Sequence, residues 1–590
     1  MKLIVMVTLL FLQIPLSAQT LPGFRLSSWP GEQQMIIEDN PASTRILINA
    51  PVDGFNDNSK VMLVFYALPN GNSIEQTFGK RLARGDDWHF DIQHIGAQTR
   101  FLRSRLKDMT VVLVYLETRQ KSWPAWVANT PDSIARIRKA VDRVYSLFSR
   151  WNPAIILDGH SGGGRFIFSY IDSGDDINPA VQRIAFLDSD YGYEDDRYGA
   201  KITRWLETNE GGKLFVVAYN DSVVIYNGKP IVSPRGGTWY RSKRMKSFLG
   251  QSYRLKTVRR DTLLLTRDKA KRIFIGLLEN EKGRIYHTTQ VELNGFTHSI
   301  LFGTKLENRG YRYLKGRAYT RYISDTVDFP IRVLNIPDRE KEAESGTDFF
   351  NRIKDYTREE REEAIFREIS NGNIPSFLRN QIQLKGQFAD SAGRVHEIEI
   401  EVMPDYLSVG NDSDFFRVPV NPRTAQRLAD LFGASLLTSK LSDFIFQKAV
   451  VRPTPFNYIP SGNINETVEK FWEHNVKINT QVSELGGHPG MLVAGIKKDI
   501  ILSEKMADRP GKVVIYGWHR NDGRPIQPVY AGHVSWYVDY SHGIRFINNQ
   551  VKVDGKLMLL SDILVDPLLF TIFSDEDKPM KTTRYSTESQ

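Results

Sequence analysis

Apolar and polar residues follow two patterns between positions 61 and 305. Short apolar runs, which are typical of strands buried on both faces of a sheet, are separated by stretches in which apolar residues recur every three or four positions. The predicted strands cover residues 61–67, 110–116, 154–157, 183–187, 213–218 and 272–277. Strands that alternate with helices in this way predict an α/β domain with a mostly parallel sheet flanked by helices.

One of the intervening helices is marked clearly in the sequence. We expect it to begin after Thr130, whose side chain would cap it, with Pro131 in its first turn. Its apolar positions would cover one face of the sheet, and they are Ile134, Ile137, Val141, Val144 and Phe148. The residues before position 61 are expected to form antiparallel edge strands.

The pattern changes in the second half of the chain. A charged stretch at residues 337–368 is typical of a solvated helix or linker, and shorter β-like runs follow it together with one clear helix at 422–432. We therefore expect a separate α+β domain. The predicted boundaries are residues 19–336 for the α/β domain, 337–370 for the charged segment, 371–575 for the second domain and 576–590 for a flexible tail.

The N-terminus has the composition of a secretory signal peptide over residues 1–18. Lys2 precedes an apolar run at residues 3–16, and small residues follow at Ser17 and Ala18. No later stretch is apolar enough to span a membrane. We expect an exported bacterial protein, periplasmic or secreted. The absence of cysteine from the 590 residues excludes disulfides, thiolate metal sites and a cysteine nucleophile.

The formal net charge of +9 has two interpretations. The basic residues, which cluster at 240–246 and 256–260, could bind an anionic partner such as an acidic glycan, or they could form an ordinary solvated surface. Aromatic stacking motifs do not accompany these clusters, so nucleic acid is not an expected partner.

The candidate chemistry begins with the run Gly159-His160-Ser161-Gly162-Gly163-Gly164, which directly follows the apolar strand at 154–157. A serine flanked by glycines between a buried strand and a helix is typical of a nucleophile on a tight turn. Asp221 follows the strand at 213–218, and His298 follows the strand at 272–277. Ser161 would attack, His298 would accept its proton, and Asp221 would orient His298.

This order of serine, acid and histidine resembles that of the α/β-hydrolase family, over residues 45–310. The resemblance implies a serine hydrolase that needs no cofactor or metal. It also implies an oxyanion hole in which the amide of Gly162 is one donor. Since Pro69 has no amide hydrogen, the second donor would be Leu68, Asn70 or Gly71.

Two of these assignments have alternatives. His287 competes with His298 for the role of the base. Asp188 and Asp190 follow the strand before that of Asp221, and Asp190 is the alternative acid. His160 is expected to pack beside the nucleophile and to take no part in catalysis.

The second domain contains a possible second site. His519, His533, Asp539 and His542 lie among aromatic residues, and they could be metal ligands, acid/base groups or structural histidines. Strand alternation over 534–539 would place His533 and Tyr537 on one face. The region 358–575, with its segments 373–378 and 404–407, resembles an uncharacterised domain of exported bacterial proteins, and this resemblance implies no activity.

The favoured function is that of an exported carboxylesterase that acts through an acyl-enzyme at Ser161. Its substrate would be a small-molecule or polymeric ester, with a decorated polysaccharide as one example by analogy. One alternative places the main activity, with or without a metal, in the histidine-rich second domain. Another is a non-catalytic, glycan-binding protein on a hydrolase fold.

Overall fold

A computed structural model describes residues 20–39, 44–233 and 235–587. The chain divides into two compact units. The first comprises the described residues up to Gln34 and those from Ile46 to Val327, and the second comprises the described residues of 35–45 and those from Asp328 onwards. The predicted signal peptide lies outside the described residues.

An 11-stranded sheet forms the centre of the first unit. Its strands, in chain order, are β1 (Arg25–Leu26), β2 (Glu32–Asp39), β3 (Thr44–Pro51), β4 (Val61–Ala67), β5 (Thr110–Thr118), β6 (Ala154–His160), β7 (Val181–Leu187), β8 (Lys213–Tyr219), β11 (Leu255–Arg260), β12 (Leu263–Asp268) and β13 (Ile273–Leu278). Two further short strands, β9 (Ile225–Tyr226) and β10 (Lys229–Pro230), form a separate hairpin.

The spatial order of the strands is β1-β2-β3-β5-β4-β6-β7-β8-β13-β12-β11. The six strands from β5 to β13 are parallel, whereas β1 pairs antiparallel with β2, and β11 and β12 extend the other edge antiparallel. Because β4 is followed by β5 on one side while β6 lies on its other side, the connections diverge between β4 and β6. Such a switch point opens a crevice at the carboxyl ends of the strands, where α/β proteins bind ligands.

Helices cover the parallel sheet. They are α1 (Ile74–Phe78), α2 (Ile95–Arg105), α3 (Trp123–Asn129), α4 (Ser133–Leu147), α5 (Gly164–Asp172), α6 (Ala200–Thr208), α7 (Thr238–Leu249), α8 (Thr289–Glu292) and α9 (Gly295–Leu301). The pairs α4 with α5 and α2 with α9 pack against each other. This arrangement confirms the predicted α/β class with a mostly parallel sheet.

The helix predicted after Thr130 begins later than expected. Residues Trp123–Asn129 already form α3, and Thr130 ends that helix. Asp132, at φ +53°, turns the chain so that α4 starts at Ser133. The predicted inner face is present at Ile137, Val141, Val144 and Phe148, which are buried, but Ile134 is exposed because the helix begins only one residue before it.

The second unit contains helices and three small sheets, which confirms a separate α+β part. Its helices are α10 (Gly346–Ile353), α11 (Arg358–Ser370), α12 (Pro422–Phe432), α13 (Ser439–Lys448), α14 (Val468–Glu484), α15 (Lys505–Asp508) and α16 (Leu560–Val565). Its strands are β14 (Ile382–Ala389), β15 (Val395–Val402), β16 (Ser408–Gly410), β17 (Phe415–Arg417), β18 (Ala434–Ser435), β19 (Lys498–Ile500), β20 (Ile515–His519), β21 (Pro525–Tyr530), β22 (His542–Gly543), β23 (Ile547–Asn548), β24 (Gln550–Val553) and β25 (Lys556–Leu559).

Two features of the second unit differ from the expected boundaries. The charged segment contains helices, one of the two expected forms, but it is not a solvated linker, because α10 and α11 bury Phe349, Ile353 and Ile365 in the core of this unit. The described part of the expected tail is also packed, since the side chains of Met580 and Tyr585 are buried there. Among the described residues, no helix combines the length and the apolar composition that crossing a bilayer requires.

Candidate functional site

The carboxyl ends of five parallel strands meet along one edge of the large sheet. Ala67 pairs with Gly159, His160 with Leu187, and Leu187 with Val217, and the register continues from Tyr219 to Leu278. Side chains that follow these strands therefore converge at this edge. Those that could carry chemistry are Asn70 after β4, Ser161 after β6, Asp188 after β7, Asp221 after β8 and His287 after β13.

Ser161 lies on the tight turn that the sequence predicts between β6 and α5. Its φ of +54° is a left-handed conformation that non-glycine residues rarely adopt. The glycines that follow allow close packing, because a Cβ on Gly163 would lie 2.2 Å from the carbonyl oxygen of Ala67. A Cβ on Gly164 would lie 1.7 Å from that of Ser189. The strand, the strained serine and the helix that starts at once are the parts of a nucleophile elbow.

The first unit has an α/β-hydrolase-like fold.

Comparisons with known proteins find only distant similarities. No protein-family model matches the chain, and a search of curated proteins finds no match. Among solved structures, a thermostable esterase is 13% identical, with 44% of this chain and 59% of that chain covered and a TM-score of 0.28. The chain thus spans less than two thirds of that esterase.

Two further solved structures are similar at the same level. The feruloyl esterase module from Clostridium thermocellum is 11% identical over 50% of this chain and 94% of that chain, with a TM-score of 0.30. A glucuronoyl esterase from Solibacter usitatus is 10% identical over 42% of this chain and 77% of that chain, with a TM-score of 0.23. These similarities are too weak to support the fold assignment. The assignment rests on the strand order of the sheet and on the turn at Ser161.

A buried carboxylate and a histidine pair at this edge. Asp188 directly follows β7, its side chain is fully buried, and its Oδ2 lies 2.5 Å from Nδ1 of His287. Since an ionised carboxylate can only accept hydrogen bonds, Nδ1 carries the proton and Nε2 is left as the basic nitrogen. The side chain of His287 is 26% exposed, whereas that of Asp188 is fully buried.

His287 lies against the residue that precedes the serine. The rings of His160 and His287 have centroids 4.5 Å apart, and Nε2 of His160 donates a hydrogen bond of 3.1 Å to the main-chain oxygen of His287. Burial, followed by the neighbouring His287, lowers the pKa of His160 well below its ordinary value, so this ring is neutral. His160 therefore anchors the loop that carries His287 beside Ser161.

His298 occupies a different environment from the one predicted. It lies on α9, is only 2% exposed, and its Nδ1 is 2.8 Å from the hydroxyl of Tyr311. The rings of Phe215, Phe274 and Tyr313 surround it. Burial, aided by two nearby arginines, lowers its pKa to about 3. The geometry of His298 is that of a neutral histidine in an aromatic core.

Neither of the two other aspartates pairs with a histidine among the described residues. Oδ2 of Asp221 accepts a hydrogen bond of 2.9 Å from the amide of Thr238. Burial, and then the charge of Asp188, raises the pKa of Asp221 to about 6. Oδ2 of Asp190 accepts a hydrogen bond of 2.8 Å from the hydroxyl of Ser242, and burial raises the pKa of Asp190 well above its ordinary value. The predicted contact between Asp221 and His298 is absent.

The structure narrows the choice of oxyanion donors. The amide of Leu68 donates to Leu116 and that of Gly71 donates to Lys121, so both are engaged. The amide of Asn70 has no acceptor among the described residues. A Cβ on Gly162 would lie 2.0 Å from Oδ1 of Asn70, which places Asn70 directly against the turn that carries Ser161. Gly162 and Asn70 are the candidate donors.

The predicted second site separates into two groups. His519, at the end of β20, has Nε2 2.7 Å from Asp443, whose carboxylate also accepts a hydrogen bond from Tyr516. Phe446 stacks on the His519 ring. His519 is thus a satisfied structural histidine.

The other three residues gather around Tyr537. Residues 534–537 form a turn and not the expected strand, and His533 and Asp539 both contact this tyrosine. The ring of His533 stacks on Tyr537 at 4.2 Å, and the Tyr537 hydroxyl donates to Asp539 at 3.0 Å. His542 is buried against the same ring, and burial lowers its pKa to about 4. Within the described ranges, no three side chains of the metal-binding types share a metal site.

The sequence held a signal for the Asp188–His287 pair. Asp188 is the first residue after its strand, and His287 lies in a polar segment, whereas His298 lies among the apolar residues of α9. A catalytic base must be reachable by the substrate, so the apolar context of His298 argues for a core position.

Proposed function

We propose that the first unit is a serine hydrolase of the carboxylesterase type. Ser161 is the nucleophile, His287 is the base, and Asp188 is the acid that orients it. The observation that carries the proposal is the 2.5 Å contact between Asp188 and His287, whose ring adjoins the residue before Ser161. This assignment keeps the predicted nucleophile and replaces both of its predicted partners.

The chemistry follows from the tautomer. Nε2 of His287 takes the proton of the Ser161 hydroxyl as the oxygen attacks the ester carbonyl, and Asp188 stabilises the imidazolium that forms. Collapse of the tetrahedral intermediate transfers that proton to the departing alcohol and leaves an acyl-serine. Water, deprotonated by the same nitrogen, then releases the acid and restores the serine.

The oxyanion of both tetrahedral intermediates needs preorganised donors. The amide of Gly162 follows the nucleophile, and Asn70, whose side chain lies against Gly162, offers an amide without an acceptor among the described residues. Removal of one such donor in other enzymes costs about 3 kcal/mol of transition-state stabilisation. The two amides together complete the machinery for acyl transfer.

The substrate in this proposal is an ester of a small molecule or of a polymer such as a decorated polysaccharide. The signal-like composition of residues 2–18 supports action outside the cytoplasm. An activated ester is the simplest substrate on which the chemistry can be observed.

Labelling with a fluorophosphonate tests the proposal, because such a probe reacts only with an activated serine. The full chain should be labelled and should hydrolyse short-chain nitrophenyl esters, and Ser161→Ala should abolish both. Ser222→Ala is the matched control, since Ser222 is exposed on the loop after β8, and this variant should behave as the wild type. An unlabelled, inert wild type would overturn the proposal.

A further inference from the structure

One buried residue contacts two of the aspartates at the sheet edge. Thr238 is the first residue of α7 and is fully buried. Its hydroxyl donates a short hydrogen bond to Oδ1 of Asp188, and its amide donates a 2.9 Å hydrogen bond to Oδ2 of Asp221. The hydroxyl lies 3.4 Å from the same oxygen of Asp221, so Thr238 stands between the two carboxylates.

The hydroxyl of Thr238 complements the contact between Asp188 and His287. Oδ2 of Asp188 faces Nδ1 of His287, which leaves Oδ1 as a second buried acceptor. Thr238 supplies the donor for that oxygen. A carboxylate held at both oxygens cannot rotate about its own bond without losing a charge-assisted hydrogen bond. Its plane, and with it the direction of the His287 ring, is therefore fixed.

Asp221 is held at the same point of the structure. Its carboxylate sits against Gly237, where a Cβ would lie 2.2 Å from Oδ2, and it faces the N-terminus of α7, where a negative charge is favoured. The ionisable groups that face Asp221 are Asp188, Asp190, Tyr191 and Tyr219. With no cation among them, the amide of Thr238 and the helix end hold this second carboxylate near the first.

We propose that Thr238 is the positioning residue of the site: through its hydroxyl it orients Asp188, and through Asp188 it orients the base His287. This role rests on the proposed function. Thr238 does not touch the reacting atoms, so it acts on the rate of the chemical step and not on substrate binding.

A merely structural role for Thr238 makes a different prediction. As a buried β-branched residue at the start of a helix, Thr238 also fills space, and valine would fill that space equally well while keeping the amide hydrogen bond to Asp221. Serine would keep the hydroxyl and lose the methyl group. The pair Thr238→Val and Thr238→Ser therefore separates the hydrogen bond from the packing.

The experiment measures the rate of fluorophosphonate labelling, together with kcat and KM for a nitrophenyl ester, in the full chain. Thr238→Val should lower the labelling rate and kcat about tenfold or more with KM unchanged, as expected for loss of a hydrogen bond to a charged group. Thr238→Ser should stay within about twofold of the wild type. If Thr238→Val does not fold, Thr238→Ala compared with Thr238→Ser gives the same contrast.

The matched control is Ser242→Ala. Ser242 lies one turn further along α7 and donates to Asp190 as Thr238 does to Asp188, but it does not contact the Asp188–His287 pair. Its loss should leave the labelling rate within about twofold of the wild type. If the wild type is labelled but Thr238→Val and Thr238→Ser are labelled at equal rates, the positioning role of Thr238 is overturned and the proposed function stands. An unlabelled wild type would overturn the proposed function and this inference with it.

Discussion

Nδ1 of His287 lies 2.5 Å from Oδ2 of Asp188, although 99 positions separate the two residues in the chain. The contact joins the loop after β13 to the loop after β7, two strands away in the sheet. It leaves Nε2 of His287 as the nitrogen that does not face this carboxylate, and the His287 ring lies against His160, the residue before Ser161.

The two histidines that follow β13 should respond differently to substitution. His287→Ala should lower ester hydrolysis by at least about a thousandfold while the protein stays folded, because it removes the proposed base from a partly exposed position. Substitution of His298 should instead lower stability, since His298 is buried against aromatic rings. Parallel assays of hydrolysis and thermal unfolding separate the two effects. A folded His298→Gln protein without activity, next to an active His287→Ala protein, would restore His298 as the base.

The glycines after Ser161 should differ in their tolerance of a methyl group. In Gly164→Ala the new Cβ would meet the main-chain oxygen of Ser189 at 1.7 Å, and the backbone there cannot move aside without disturbing the turn. In Gly162→Ala it would meet the end of the Asn70 side chain, which can rotate. We expect Gly164→Ala to destabilise the protein by about 3 kcal/mol or more and Gly162→Ala by less. Denaturant unfolding of both variants checks this order, and equal stabilities would contradict it.

The buried, neutral His298 should make stability depend on pH. Its pKa is about 3 in the folded protein and 6.5 ordinarily, so between these values the unfolded chain binds a proton that the folded chain does not. The free energy of unfolding should therefore fall as the pH is lowered from 6.5, and this group alone contributes about 1.4 kcal/mol per pH unit.

His298→Gln isolates this contribution, because glutamine does not titrate. Urea unfolding of the wild type and of this variant at several pH values between 4.5 and 6.5 should show the shallower slope in the variant. Identical slopes would mean that His298 titrates normally in the folded state.

The end of the chain should contribute to the stability of the second unit. The hydroxyl of Tyr585 accepts a 3.1 Å hydrogen bond from the amide of Val514 and donates one of 2.7 Å to the main-chain oxygen of Ile501, and all three residues are buried. Tyr585→Phe leaves both backbone groups unsatisfied, which should cost about 1–3 kcal/mol in chemical denaturation. Tyr530→Phe, at a tyrosine that is 44% exposed, is the control and should change stability by less than about 0.5 kcal/mol. A Tyr585→Phe protein as stable as this control would show that the chain end adds nothing.

The elements that the sequence predicts well are those encoded by neighbouring residues. The six parallel strands are apolar runs because both of their faces are buried, and the helix at Pro422–Phe432 begins with an asparagine cap. The turn at Ser161 is equally local, since the strand, the serine, the glycines and the helix follow one another within about 20 residues. Two local predictions were wrong. The sequence did not indicate α3 as a helix separate from α4, and it indicated a strand where residues 534–537 form a turn.

The sequence does not determine which acid and which histidine accompany Ser161. Asp188 and Asp221 both follow parallel strands that end at the same edge, and His287 and His298 both follow β13. Asp190 follows the same strand as Asp188, so chain order alone leaves six combinations of acid and base. The choice among them depends on how the loop before α8 folds back over the sheet edge and on α9 turning His298 into the aromatic core.

The sequence by itself determined the parallel sheet, the separate second unit and the candidate nucleophile, because hydrophobic periodicity and a strained glycine-rich turn are properties of contiguous residues. Only the tertiary structure decided that His287 meets Asp188, that Asp221 is held by Thr238 at the start of α7, and that His298 is enclosed by aromatic rings. These contacts join residues far apart in the chain, and their energies come from burial and hydrogen bonds that exist only once the loops have packed.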